Sequence, residues 1–203
     1  QCQLDPCPTC LIKKCSRIVA PVIAKMINYS FSESVFPDAG KLAVLKPILK
    51  KPNLDAFDLN SWRPISNLSF VSKLVERLAV QRFSRHLSTN KLLPVFQSAY
   101  RPNHSTETAL LSVVDYIARA VDDGEVCALI LLDLSAAFDT VDHTILLQVL
   151  ANRFAVCDVA LNWFHSYLTD RKQMVCIADG TSRPSVLRCG VPQGSVAGPA
   201  EFI

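Results

Sequence analysis

From Val126 to Leu132 the chain runs Val-Cys-Ala-Leu-Ile-Leu-Leu without a polar side chain, and the next residue is Asp133. The turn signal Asp122-Asp123-Gly124 leads into this run. A short continuous apolar run bounded in this way predicts a strand buried on both faces, around which the remaining elements must be layered. An isolated carboxylate inside such a layer would cost several kcal/mol, so Asp133 is expected at the strand's end, where water, a donor or a metal can reach it. Two readings of Asp133 stay open on this stretch alone: a candidate metal ligand, or the N-cap of a helix that follows.

Half of the 203 residues are hydrophobic, enough for a sizeable core in one large domain or two small ones. The formal net charge of +3 does not by itself mark a nucleic-acid binder, so any basic surface must come from local clustering. No stretch of 18 apolar residues is free of charge and proline, and Gln1-Cys-Gln-Leu-Asp-Pro6 lacks the build of a signal peptide. A soluble intracellular protein with no membrane partner is therefore expected. The chain begins without Met and ends in mid-pattern at Glu201-Phe-Ile203, which reads as a segment of a longer protein. Cys7 and Cys10 have the pair spacing of a zinc site, with Cys2 and Cys15 as further ligands. No second close pair exists, however, and Cys127, Cys157, Cys176 and Cys189 are scattered, so reduced thiols and no zinc are the expectation.

Taken in order, residues 11–31 have the pattern of a helix that Pro21 should kink. Residues 41–52 form a short strand interrupted by Pro47, with Lys46, Lys50 and Lys51 as the tightest basic cluster. Arg63 precedes Pro64 and is thereby held extended, beside Trp62, in a way that suits phosphate binding; a surface arginine packed on its neighbour is the plainer reading. Residues 69–87 form an amphipathic helix whose second face carries Lys73, Arg77 and Arg85, with Glu76 diluting the charge. Ser105 is a candidate N-cap for a helix whose stripe from Ala109 to Val121 should pack on the buried strand. Residues 143–154 and 158–168 are short helices, and strands at 172–178 and 184–189 are joined through the hairpin signal Asp179-Gly180. Non-alternating strands mixed with helices predict an α+β or α/β layer structure.

Five stretches now combine: Leu45-Lys-Pro-Ile-Leu-Lys-Lys-Pro52, Trp62-Arg-Pro-Ile65, Phe96-Gln-Ser-Ala-Tyr-Arg-Pro-Asn-His-Ser-Thr-Glu-Thr-Ala-Leu110, Leu132-Asp-Leu-Ser-Ala-Ala-Phe-Asp-Thr-Val-Asp-His143 and Gly190-Val-Pro-Gln-Gly-Ser195. In this order they resemble the reverse transcriptase of non-LTR (LINE-type) retrotransposons, with the CR1/L2-like and jockey-like groups most alike, from about Asp5 to Ile203. The resemblance implies a right-hand polymerase represented by fingers and a partial palm, the thumb absent. Residues 1–40 would be an N-terminal helical extension, 41–121 the fingers with palm-entry helices, and 122–203 the partial palm carrying the first two polymerase motifs. The implied activity is RNA-directed DNA polymerisation: nucleotidyl transfer from deoxynucleoside triphosphates to a DNA primer on an RNA template. It would depend on two divalent ions about 4 Å apart, Mg2+ or alternatively Mn2+. An intracellular ribonucleoprotein, nuclear or cytoplasmic, is implied as well.

By matched position, the resemblance makes Asp133 the catalytic metal ligand, with Leu134 lending its backbone to the metal or triphosphate. Phe138 would lie under the sugar as the gate against ribose. Arg63 and a lysine among Lys46, Lys50 and Lys51 would hold the triphosphate. Gln193 would line the nucleotide pocket, and Gly194 would let backbone come close to the substrate. The chain departs from the family pattern at Ala197, Ala200 and Glu201, a charge being awkward on the buried helix expected there. The third motif, an aromatic followed by an aspartate pair, does not occur in these 203 residues; Ile177-Ala-Asp-Gly180 precedes the second motif and lacks the second Asp. The segment alone is therefore expected to be inactive. The alternative is a catalytically inactive derivative that binds nucleic acid or protein, and a metal-dependent hydrolase built on Asp133, Asp139, Asp142 and His143 ranks third.

Overall fold

The computed structural model of the chain describes residues 2–134 and 137–198. Its organising helix is α3, Phe70–Thr89, for which two acceptors satisfy N-terminal backbone donors: the Ser69 hydroxyl takes Ser72 N–H at 3.2 Å, and Asp5 Oδ1 takes Phe70 N–H at 2.6 Å. Val75, Ala79, Phe83 and Leu87, one helical turn apart, are buried. Against them pack Ile27 of α2, Ser16–Ser32, Leu146 and Leu150 of α5, His143–Asn152, and Trp163, Phe164, Tyr167 and Leu168 of α6, Asp158–Leu168.

Aromatic rings fill this core, most pairs edge to face, with Trp163 stacked on Tyr167. Phe83 meets Phe154 at 6.0 Å and Phe164 at 5.7 Å between centroids, and Phe36 stands edge-on to Trp163 and Tyr167 at 5.6 and 5.0 Å. Such pairs contribute about 0.5–1.5 kcal/mol each beyond their burial. The indole N–H of Trp163 donates to Ser30 Oγ at 3.0 Å and that hydroxyl donates to Val35 O at 2.6 Å, so neither polar group is stranded.

The N-terminal helix is broken at Cys15 into α1, Thr9–Lys14, and α2, whereas the kink was expected at Pro21, which lies inside α2. A proline ring presses on the carbonyl four residues earlier, here Arg17, so its strain falls on the preceding turn.

The sheet is small and mixed. In β1, Leu42–Leu49, and β2, Trp62–Asn67, the strands pair antiparallel, and β1 pairs parallel with β3, Lys172–Ile177, from Leu42↔Lys172 to Leu45↔Val175. Short strands β4, Gly180–Thr181, and β5, Ser185–Val186, both pair with β3. The hairpin turns one residue earlier than expected: Ala178, at φ +49, and Asp179 form the turn while Gly180 already faces Ile177. Pro47 does not interrupt β1. It stands opposite Pro64, two residues without N–H groups sharing a position of the ladder that needs no donor, and the pairing with β3 has ended at Leu45.

Two expectations fail together. Residues 126–132 carry no regular secondary structure and are exposed, Leu132 at 90% and Val126 at 99%. A strand takes its backbone hydrogen bonds from a neighbour, and among the described residues no strand pairs with this run. Helix α4, Thr106–Asp122, forms by local means, a capping box in which Ser105 Oγ accepts from Thr108 N and Thr108 Oγ1 accepts from Ser105 N. Its apolar stripe, lacking the strand it should cover, leaves Leu110, Leu111, Val114 and Val121 exposed and buries only Ala120. Among the described residues, no helix is long and apolar enough to cross a membrane.

Candidate active site

The second polymerase-like stretch folds as a turn clamped on three sides. Ser195 N–H donates to Pro192 O at 2.9 Å, closing the turn over Gln193 and Gly194. Gln193 O accepts from Ser66 N–H of β2 at 2.7 Å, and Gly194, at φ +111, comes so near that a Cβ there would lie 2.8 Å from Ser66 O. Only glycine combines that dihedral with that approach. On the far side, Gly190 N–H donates to Val141 O at 2.7 Å and Val191 N–H to Phe138 O at 2.8 Å, while His143 Nε2 lies 2.8 Å from Gly190 O. Gly190 is at φ +83, and a Cβ on it would stand 2.9 Å from both Phe138 O and Asp139 O. Phe138, half-buried against the core, is thus held one backbone hydrogen bond away from the Gln193 turn. A cleft of about 440 Å³ opens here, lined by Leu45, Ser66, Asp139, Arg188, Pro192 and Gln193 among others.

The cationic candidates stand on the adjoining strands. In the β1–β2 register Arg63 faces Ile48 and Lys46 faces Ile65, so Arg63 and Lys46 are diagonal neighbours on one face of the sheet. Lys50 N–H donates to Ser61 O at 2.9 Å just past the end of β1, and Lys51 lies beyond it. All four side chains are exposed, and neighbouring like charges there favour an anionic ligand. By strand alternation Leu45, Pro64 and Ser66, which line the cleft, occupy the opposite face from Arg63 and Lys46.

Asp133 and Leu134 are exposed at the end of the irregular run, and among the described residues no hydrogen bond ties them to the turn. Ser135, Ala136, Ala200 and Glu201, all quoted above, lie outside the described residues. The helix cap in this region is Asp142, whose Oδ1 accepts from Thr144 N–H at 2.8 Å and Ile145 N–H at 3.0 Å. Asp142 and His143 therefore have structural employment, which weakens the hydrolase reading. Among the described residues no group of three His, Cys, Asp or Glu side chains stands together, and the N-terminal cysteines are free thiols.

One residue near the turn was misjudged from sequence. Glu76, expected on the solvated basic face of α3, is fully buried, and its Oε2 accepts from Val196 N–H at 2.7 Å and Ala197 N–H at 3.4 Å, directly after the turn. Burial pushes its carboxyl above the ordinary value, opposed by the Val196 amide, the charge of Arg171, the Ala197 amide and Ser72. Ser72 and Glu76 fall on the same helical stripe as Ala79 and Phe83, which is the signal that would have found it. Arg171, also buried, donates from Nη1 to Tyr167 O at 3.1 Å and lies 4.5 Å over the Tyr167 ring.

Comparison with known proteins identifies the family. A family model described as "Reverse transcriptase (RNA-dependent DNA polymerase)" matches residues 48–203. The chain is 36% identical over 177 residues to a probable RNA-directed DNA polymerase from transposon BS of Drosophila melanogaster, covering 87% of this chain and 19% of that protein. It is 34% identical to the corresponding protein of the X-element of the same organism, covering 81% of this chain and 18% of that protein. It is 32% identical to the RNA-directed DNA polymerase from mobile element jockey of Drosophila funebris, covering 82% and 18%. The chain thus spans about a fifth of the length of these relatives. Through the match to residues 48–203 and these identities, the chain belongs to the reverse transcriptase family, among the polymerases of non-LTR retrotransposons.

Proposed function

We propose that the chain is the fingers and partial palm of an RNA-directed DNA polymerase, which adds deoxynucleotides to a DNA primer on an RNA template. The observation that carries this reading is the clamp that ties Phe138 and Val141, in the tail of the first motif, to Gly190 and Val191 and, through Gln193, to Ser66 of β2. In the proposed site Gln193 lines the nucleotide pocket from a turn whose backbone is immobilised, and Gly194 leaves room for close approach. Phe138 excludes a 2′-hydroxyl by bulk. From the face of the β1–β2 pair opposite the cleft, Arg63 offers a planar fork to phosphate oxygens and Lys46, its diagonal neighbour, a second positive charge, with Lys50 and Lys51 nearby. The divalent ions of such an enzyme would stabilise the attacking and leaving oxygens. Asp133 is a ligand of the right chemistry for Mg2+ and Leu134 an adjacent carbonyl, but among the described residues no group of three His, Cys, Asp or Glu side chains that could hold an ion includes Asp133.

Primer extension by the full-length source protein tests the reading. Activity on an RNA template that is abolished in Asp133→Ala supports it, while the segment 1–203 alone should extend nothing. Extension unchanged by Asp133→Ala would remove Asp133 from the site, and a source protein that binds primer and template without extending them would favour the binding-module alternative.

A further inference from the structure

Glu76 is the one fully buried carboxylate of the described residues; the buried Arg171 acts on it through its charge, but among the described residues no cation forms an ion pair with it. A bare buried carboxylate is costly, whereas an apolar side chain of similar volume would be cheap in the same place. What the carboxyl holds is therefore informative. Its Oε2 takes the N–H groups of Val196 and Ala197, and Ser195 Oγ takes the N–H of Gly198 at 2.9 Å. The backbone leaving the Gln193 turn is thus fixed from α3, as the backbone of Gln193 itself is fixed from β2.

The other oxygen shows how the group is accommodated. Oε1 lies 3.3 Å from Ser72 Oγ, and that hydroxyl lies 3.2 Å from Gly40 O. A hydroxyl has one hydrogen, and the Gly40 carbonyl can only accept. If Ser72 donates to Gly40, Oε1 is satisfied by carrying a proton and donating it to Ser72. A neutral carboxyl satisfies every member of the chain from Gly40 to Val196, and burial favours that form more than the Val196 amide and the charge of Arg171 oppose it.

We propose that Glu76 is a positioning residue for nucleotide selection: by anchoring Val196 and Ala197 it sets the height of the Gln193 turn above the cleft. The proposal rests on the polymerase reading, and it names a residue that would act through Gln193 rather than touch the nucleotide. Glutamine reproduces the neutral form, its amide donating to Ser72 and its carbonyl accepting from Val196 and Ala197; methionine keeps the volume and loses the acceptor.

In the full-length source enzyme, Glu76→Gln should keep the KM for deoxynucleotides within about twofold of the parent. Glu76→Met should raise it about 10- to 100-fold, with kcat within a few-fold and primer–template affinity unchanged. Amide hydrogen exchange on residues 1–203 supplies a readout independent of activity: protection at Val196 and Ala197 should survive in Glu76→Gln and fall in Glu76→Met, while the amides of α3 stay protected. Equal KM and equal protection in the two variants would show mere core filling and overturn the proposal. Should the parent enzyme extend no primer, the polymerase reading fails and the exchange comparison alone decides whether Glu76 anchors the turn. Should Glu76→Met not fold, Glu76→Gln carries the test, and a tenfold rise in its KM or loss of protection at Val196 overturns the anchor.

Discussion

Replacing Gly190 by alanine probes the joint between the two polymerase-like stretches. An L side chain at φ +83 costs about 1–2 kcal/mol for the backbone alone. The new Cβ would also stand 2.9 Å from the carbonyl oxygens of Phe138 and Asp139, a distance that forces backbone, not a flexible side chain, to give way. The hydrogen bonds lost or lengthened in that movement are Gly190 N–H to Val141 O and Val191 N–H to Phe138 O, each contributing about 0.5–1.5 kcal/mol net. The sum is about 2–5 kcal/mol, a large share of the ~5–15 kcal/mol available to a folded domain. Gly124 supplies the control: its φ of +79 is nearly the same, but a Cβ there meets nothing within 4 Å, so Gly124→Ala should show the backbone cost only. Urea unfolding of both variants of residues 1–203, followed by the fluorescence of the buried Trp163, reads the difference. Equal losses in the two variants would mean that Gly190 serves only its own dihedral and that the joint does not depend on close approach.

Phe138→Ala in the full-length enzyme should admit ribonucleotides, since exclusion by bulk disappears with the ring; an unchanged preference for deoxynucleotides would remove Phe138 as the gate. Arg63→Ala should weaken nucleotide binding by about 10- to 100-fold, the value of a charge-assisted contact of about 1.5–3 kcal/mol, with Arg63→Lys a partial rescue; equal binding by wild type and Arg63→Ala returns Arg63 to an ordinary surface role. Glu76, raised above its ordinary value of 4.5 by burial, keeps its proton in the fold at a pH where the unfolded chain has lost it. Its contribution is therefore fully present below 4.5 and declines as pH rises through the folded-state value, so the stability of wild type relative to Glu76→Gln should fall over that interval; a flat or rising difference in urea midpoints would contradict the burial argument.

What was legible in the sequence is what local chemistry decides. Ser105 announces its helix because a cap needs only the next turn of backbone, and the spacing of Val75, Ala79, Phe83 and Leu87 needs only the helical repeat. What failed depends on partners distant in the chain. The run 126–132 has the composition of a buried strand, but composition supplies no hydrogen-bonding neighbour. Pro47 looked like an interruption because its counterpart across the ladder, Pro64, is known only from the register. In the candidate site, the motifs located Phe138 and Gln193, yet Ser66 and Gly190, which join them, are visible only as backbone contacts. Glu76 was misread because a charged residue between Val75 and Arg77 ordinarily faces solvent.

The parallel pairing of β1 with β3 also sets a timetable. The β1–β2 hairpin and α3 consist of near neighbours in sequence, but β3 follows the end of β1 by about 120 residues. At a synthesis rate of about 5–20 residues per second, roughly 6–24 s pass between them, far longer than a helix or hairpin needs to form. Throughout that interval Val75, Ala79, Phe83 and Leu87 have no α6 to cover them, and Leu42–Leu45 have no parallel neighbour. A nascent chain of this design is thus most vulnerable on the ribosome, and chaperones that hold apolar helices should bind it until Leu168 emerges.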